Sequence, residues 1–185
     1  KQTAREVYEL CNAKLKTKEF SVRNIIKRSG VEAVCTTDDP VDDLSAHKTI
    51  AADKTFKVRV LPTFRPDKAL NIVSPAFNDY VKTLSVVSDI TITNINTMIS
   101  SLVKRLDYFM QNGCFISDHG LTNYTYADCT EKEADDILIN RLNGKVVDET
   151  EAEKYITYLL VALGKEYAKR NIVMQLHVSC LRNPN

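Results

Sequence analysis

The sequence predicts an α/β fold built on a parallel sheet, and three observations carry that expectation. Short apolar runs, "VEAVC", "FKVRVLPTF", "CFIS" and "IVMQLHV", alternate with longer stretches of helical periodicity, the pattern of strands joined by helical crossovers. The second and third connections run to about 50 residues each, far beyond the dozen or so that a parallel crossover needs. Each run also ends in a polar cluster: "TTDDP", "RPD", "DHG" and "HVSCLRN". In parallel α/β folds the active site lies at the carboxyl ends of the strands. Four polar strand ends are harder to explain by solvent contact alone than one or two.

The elements follow in order. "TAREVYELCNAKL" places Val7, Leu10 and Leu15 at helical spacing. "FSVRNIIKRSG" predicts a second helix, with Ser21 as N-cap and Gly30 as its stop. After the first apolar run comes "CTTDDPVDDLSAHK", residues 35–48. Pro40 suits the first position of a helix, where its missing N–H costs nothing. Asp39 then reads as the N-cap, with Asp42 and Asp43 in the first turn, where the helix dipole favours negative charge. That structural reading outweighs a cation site, because the glycine and spacing of a calcium loop are absent.

"FKVRVLPTF" alternates as a strand and runs into "RPDKAL". "SPAFNDYVKTL" predicts a helix capped by Ser74, with Pro75 at its first position. "NINTMISSLVKRLDYFMQNG" is amphipathic, with Ile95, Ile99, Leu102, Leu106 and Phe109 on one face and Gly113 as terminator. "TEKEADDILINRLNG" carries a capping box from Thr130 to Glu133. "TEAEKYITYLLVALGKEYAKRN" is a long helix with basic residues at its end. The expectation is a single domain over residues 1–185, with helical elaborations at about 75–112 and 130–170 beside the sheet.

Composition bounds the function. The 185 residues are 44% hydrophobic and 26% charged, with a net charge of +1. This is the profile of a globular chain and not the basic footprint of a nucleic-acid binder. No apolar run reaches the length of a membrane span, and the N-terminal stretch lacks a signal-peptide core. Five cysteines without a CxxC spacing point to reduced, buried thiols in a cytoplasmic protein. No HxH, HExxH, glycine-rich phosphate loop or GxSxG motif occurs.

Side-chain alternation narrows the site candidates. Val173, Gln175 and His177 share one face of the last strand, a Gln–His face that fits a polar barrel interior. Asp118 and His119 are neighbours and point to opposite sides of a strand, so only one of them can face the site. Arg65 follows a strand. It either grips a carboxylate with its two-pronged guanidinium or forms a structural pair with Asp67. Arg182 leaves the same choice open.

"TTDDPVDDLSAHK", "VLPTFRPDKAL", "GCFISDHGL" and "MQLHVSCLRNPN" resemble, in order and spacing, the middle of the uronate (glucuronate) isomerase family of the amidohydrolase superfamily. The resemblance runs from about Phe20 to Asn185. It implies a partial (β/α)8 barrel of about four parallel strands with helical insertions. It also implies interconversion of D-glucuronate with D-fructuronate, or of D-galacturonate with D-tagaturonate. Such aldose–ketose chemistry takes a base beside the carbonyl and a partner for the enediolate oxygen. Arg65 matches the family's RPD arginine and, with Arg182, is the expected substrate-binding pair. Asp118, His119 and His177 match its catalytic strand-end groups.

Ser179 and Cys180 replace the usual Gly-Ala pair of the last block, and Pro184 replaces an asparagine. The family's divalent metal, with zinc a candidate, is held by an H-x-H pair that would lie upstream of Lys1 and an aspartate that would lie beyond Asn185. No metal ligand or cofactor is therefore assigned to this chain, which is expected to be the inactive central piece of a larger cytoplasmic enzyme. The expected partner is a small hexuronate, with no nucleic acid or membrane, and with self-association through exposed sheet edges. The alternative reading is a non-catalytic α/β carbohydrate-acid binding or scaffold module. Metal-dependent hydrolysis, as elsewhere in the superfamily, fits less well, because the RPD and TTDDP blocks follow the isomerase branch.

Overall fold

A computed structural model describes residues 3–120 and 126–177. The chain divides into two compact units: residues 1–35 with 45–61, and residues 36–44 with 62–185.

In the first unit, helix α1 (Ala4–Leu15) opens on a reciprocal cap. Thr3 Oγ accepts from the Glu6 N–H at 3.3 Å, and the Glu6 carboxylate accepts from the Thr3 N–H at 2.7 Å. These bonds lower the Glu6 pKa, because they favour the charged form. The spacing of Val7, Leu10 and Leu15 predicts a packed face, yet all three are exposed. Helix α2 (Val22–Arg28) begins after an extended Ser21 whose hydroxyl makes no capping bond. The chain leaves this helix through Gly30, whose φ of +66° suits a residue without a Cβ. Strands β1 (Ala33–Cys35) and β2 (Arg59–Leu61) pair in parallel. Helix α3 (Ser45–Ala52) lies between them in the sequence. Arg23 bonds Asp53 at 2.6 Å, and both Arg23 and Lys27 lie over the Phe56 ring.

The acidic stretch after β1 does not start a helix at Pro40. Residues 39–44 form a turn, and α3 begins only at Ser45. The Asp39 carboxylate does accept a local N–H, from Val41 at 3.1 Å, but in a tight turn. Asp42 returns a carboxylate to the Asp39 N–H at 2.9 Å. The turn is held from elsewhere in the second unit. Arg105 donates to the carbonyls of Pro40 (2.6 Å) and Asp42 (2.8 Å), its guanidinium 4.2 Å from the Tyr108 ring centroid. The Tyr108 hydroxyl donates to the Asp43 carbonyl. The turn ends at Leu44, buried and left-handed at φ +56°. Such strain persists where surrounding contacts over-determine it.

The second unit carries the remaining helices: α4 (Asp67–Leu70), α5 (Phe77–Ser88), α6 (Ile95–Gln111), α7 (Glu131–Leu142) and α8 (Glu149–Lys169). Helix α5 starts two residues later than Pro75 suggests, because Ser74 caps a turn through the Ala76 N–H. The Thr130–Glu133 capping box opens α7 as expected, and Asn94 and Asp148 head α6 and α8 in the same way.

In this unit four chain segments lie side by side in sequence order and in parallel. Asp38 bridges Phe64, Phe64 bridges Ser117, and β3 (Ile116–His119) pairs with β4 (Val173–Leu176). The long connections hold the extra helices that their length calls for: α4–α6 before β3, and α7 with α8 before β4. One face of this row packs on the helices. Phe64 is fully buried, 5.3 Å from the Phe109 ring and 6.4 Å from the Tyr167 ring, both edge-on. Leu84, Met98, Leu102, Leu106, Leu159 and Leu163 complete a core with no exposed surface. Val173 and Leu176 of β4 are more than 40% exposed.

The cysteines divide. Cys114 is buried and donates to the Ile116 carbonyl, whereas Cys35 is exposed at the end of β1, against the expectation that both are interior. No helix among the described residues is long and apolar enough to cross a membrane.

Candidate functional site

Register decides which polar groups meet. Phe64 lies opposite Ser117, so the next residue along each segment, Arg65 and Asp118, also face each other. Asp118 in turn lies opposite Gln175, with His177 two residues further along the same face. Backbone bonds fix this row: Arg65 N–H to the Asp38 carbonyl (3.0 Å), Asp118 N–H to the Phe64 carbonyl (3.0 Å), and His177 N–H to the His119 carbonyl (2.8 Å).

Arg65 is the hub. Its Nε donates to Asp67 at 2.7 Å and its Nη1 to Asp118 at 3.2 Å. Its side chain is only 16% exposed, so these charges meet in a poorly screened setting. Asp67 also accepts the Gly120 N–H on both oxygens, at 3.1 and 3.3 Å. One carboxylate thus ties the arginine to the chain leaving β3. The other Asp118 oxygen, Oδ1, approaches His177 Nε2 at 2.6 Å. That approach is short, but the ring nitrogen's N–H direction misses the oxygen and no hydrogen bond forms between them. The Gln175 side-chain nitrogen lies 3.0 Å from the same Nε2.

Of the sequence candidates, Arg65, Asp118 and His177 come together. His119 does not join them. It is fully buried, its ring 5.7 Å from that of Tyr167. Burial pulls its pKa down to about 4 against the opposing pull of Asp67 and Asp118, so the ring is neutral near pH 7. The alternation rule requires this split, since neighbouring strand residues face opposite ways. Arg182, Ser179, Cys180 and Pro184 lie outside the described residues.

Two further groups belong to the arrangement. Asp38 accepts the Thr36 hydroxyl at 2.6 Å and the Thr63 N–H at 3.0 Å, which braces the segment carrying Arg65. Sequence reasoning did not single it out, although a carboxylate that follows two threonines at a strand end is a signal for such a clamp. Gln175 shares with His177 the polar face that alternation assigns to both, and their side chains meet there.

Among the described residues no group of three or more His, Cys, Asp or Glu is gathered closely enough to hold a metal ion. Asp118 and His177 are spent on each other and on Arg65. The described residues do not fit a metal centre. They fit a site with one guanidinium, two carboxylates and one imidazole, able to bind an anion and to move a proton.

The sequence profile of one family, described as glucuronate isomerase, matches residues 1–185. The chain belongs to the glucuronate isomerase family. It is 48% identical over 183 residues to the uronate isomerase of Lachnospira eligens, a match covering 99% of this chain and 39% of that protein. The uronate isomerase of Endomicrobium trichonymphae is 45% identical over all of this chain and 39% of its own length. The chain therefore spans about two-fifths of the relatives that it matches. Among solved structures, uronate isomerase from Thermotoga maritima superposes with a TM-score of 0.86 at 30% identity, over 95% of this chain and 38% of that one. Glucuronate isomerase from Caulobacter crescentus gives the same TM-score at 24% identity, over 97% of this chain and 37% of that one, a likeness of fold. The α/β architecture of parallel strands and helices is thus the family's own.

Proposed function

We propose that this chain carries the substrate-gripping and proton-handling strand ends of a uronate isomerase, within an enzyme whose whole is a (β/α)8 barrel. Its reaction interconverts D-glucuronate and D-fructuronate, or D-galacturonate and D-tagaturonate, in the cytoplasm. The observation that carries this reading is the row of Arg65, Asp118 and His177 on adjacent parallel segments. A sugar acid presents a carboxylate, for which a guanidinium is the matching group. Its aldose–ketose shift needs one proton moved between adjacent carbons.

In this reading Arg65 binds the hexuronate carboxylate, held in plane by Asp67. His177 takes the proton from C2 of the aldose, and the electron pair left behind forms the C1–C2 double bond of an enediolate. The proton returns at C1, and the C2 hydroxyl proton passes to the C1 oxygen, so no atom is gained or lost. Asp118 offsets the charge on the imidazolium formed between the two steps. Arg182 is proposed as a second substrate contact. His119 sits behind the site and keeps Tyr167 and β3 in place.

The test uses the full-length enzyme with D-glucuronate and D-galacturonate, following ketose formation. Replacing His177 with Gln is expected to lower kcat by about 100-fold or more, the usual contribution of a proton-transfer group. An unchanged kcat would remove His177 from the chemistry. Binding of a uronate with no turnover would favour the non-catalytic module.

A further inference from the structure

We infer that the Tyr155 hydroxyl on α8 is a positioning group for the site: it holds the one-turn helix α4, whose Asp67 carboxylate aims the Arg65 guanidinium. The inference rests on the substrate-binding role proposed for Arg65, and it names a residue that acts through another.

Helix α4 spans only Asp67–Leu70, and no side chain caps its start. A single turn is too short to hold itself in water, because its first bonds cost more order than they return. Yet its first residue must stay still. Asp67 accepts from Arg65 Nε at 2.7 Å and from the Gly120 N–H at 3.1 Å. The anchors come from α7 and α8. The Tyr155 hydroxyl, 86 residues further along the chain, donates to the Ala69 carbonyl at 3.0 Å. Arg141 of α7 donates to the carbonyls of Ile72 (2.9 Å) and Ser74 (2.7 Å), which fixes the chain leaving α4.

Tyr155 suits this task. Both it and Ala69 are fully buried. The Ala69 carbonyl lies in the last turn, among the acceptors that a helix end leaves without an internal partner. Burial pushes the Tyr155 pKa up, so the hydroxyl keeps its proton and donates it to that carbonyl. The ring itself packs edge-on against Phe77, at 6.2 Å between centroids. Removing the hydroxyl therefore leaves the ring packed and releases α4 at a point two residues from Asp67. A guanidinium grips a carboxylate through two parallel bonds, so it works only in the right plane. Binding groups perform within about 0.5 Å of their productive placement, and a loosened Asp67 no longer holds Arg65 to that.

The experiment compares Tyr155→Phe with Thr130→Ala in the full-length enzyme, the second variant weakening α7 at the end opposite Arg141. Two readouts are taken: nitrogen-15 NMR of the arginine side chains, with the Arg65 Nε signal identified by its loss in Arg65→Lys, and steady-state kinetics on D-glucuronate and D-galacturonate. Tyr155→Phe should shift or broaden the Arg65 signal. It should also raise KM by about fivefold with kcat within about twofold, the pattern of lost uniform binding. Thr130→Ala should change neither. A signal that stays in place in Tyr155→Phe overturns the inference, as does one that moves equally in Thr130→Ala. So does a KM that rises in Arg65→Ala but not in Tyr155→Phe. If Tyr155→Phe fails to fold, Arg141→Lys, which keeps the charge and loses the fork across two carbonyls, is read in the same way. If the Arg65 signal moves as stated but neither Tyr155→Phe nor Arg65→Ala alters KM, the functional reading fails while the positioning stands.

Discussion

Replacing Arg65 with Ala separates a substrate-binding arginine from a structural one. The side chain is 16% exposed and meets two carboxylates, at 2.7 Å and 3.2 Å. One cation against two anions leaves this trio with a net negative charge. An incoming sugar carboxylate is therefore attracted by Arg65 and repelled by its partners. Losing one member of a buried, hydrogen-bonded charge pair costs about 2–5 kcal/mol of binding, and the offsetting carboxylates put Arg65 at the lower end. About 2 kcal/mol corresponds to roughly a 30-fold rise in KM.

Arg65→Ala also strands Asp118, whose side chain is 7% exposed, and an uncompensated buried charge costs about 3–5 kcal/mol of stability. Arg65→Lys serves as the fold control, because it retains the charge and loses the fork. Its KM should fall between those of the wild type and Arg65→Ala. Steady-state kinetics on a uronate, beside affinity for the matching neutral hexose, is the assay. Arg65→Ala should erase most of the preference for the acid. If its KM for the uronate stays within about twofold of wild type while the protein is measurably destabilised, Arg65 is only the structural partner of Asp67 and Asp118.

The other predictions are narrower. His119 has its pKa lowered to about 4 in the fold, against an ordinary value near 6.5. The unfolded chain therefore binds a proton first, and stability falls as pH drops from about 6.5 to 4, by about 3 kcal/mol in all; urea midpoints across that range should slope, and His119→Gln should flatten the slope. Arg105→Ala removes two charge-assisted bonds to the Pro40 and Asp42 carbonyls and should lower unfolding free energy by about 3 kcal/mol, read by denaturant titration; a change under about 0.5 kcal/mol would mean that the turn holds itself. Thr130→Ala breaks the cap of α7 and should cost about 1 kcal/mol, with no effect on KM.

What could be read from sequence was what local chemistry determines. The Thr130 capping box lies within one turn of chain, and the helices after Asn94 and Asp148 have equally local signals. The start at Pro40 was misplaced because its outcome depends on Arg105, 65 residues away. No window around residues 35–48 contains that information. At the site, alternation told that only one of Asp118 and His119 could face outward. Choosing between them required Arg65, 53 residues from Asp118. The Arg65–Asp67 pair looked like an alternative to a binding role, and the structure shows the same pair orienting the guanidinium toward Asp118. The exposed apolar residues of α1 obeyed their helical period but found no cover within their own unit, which periodicity alone cannot report.

Arg65, Asp118 and His177 come from segments separated by whole helical connections, and none of these three meets another until those connections have closed. Long-range parallel pairing is slow, because the entropy of closing each loop is lost before any contact rewards it. Assembly of this cluster is therefore a late event in the folding of this chain. A partly folded form with its helices in place would lack the cluster, and any ligand that binds there could rescue a destabilised variant only after its strands had already found one another.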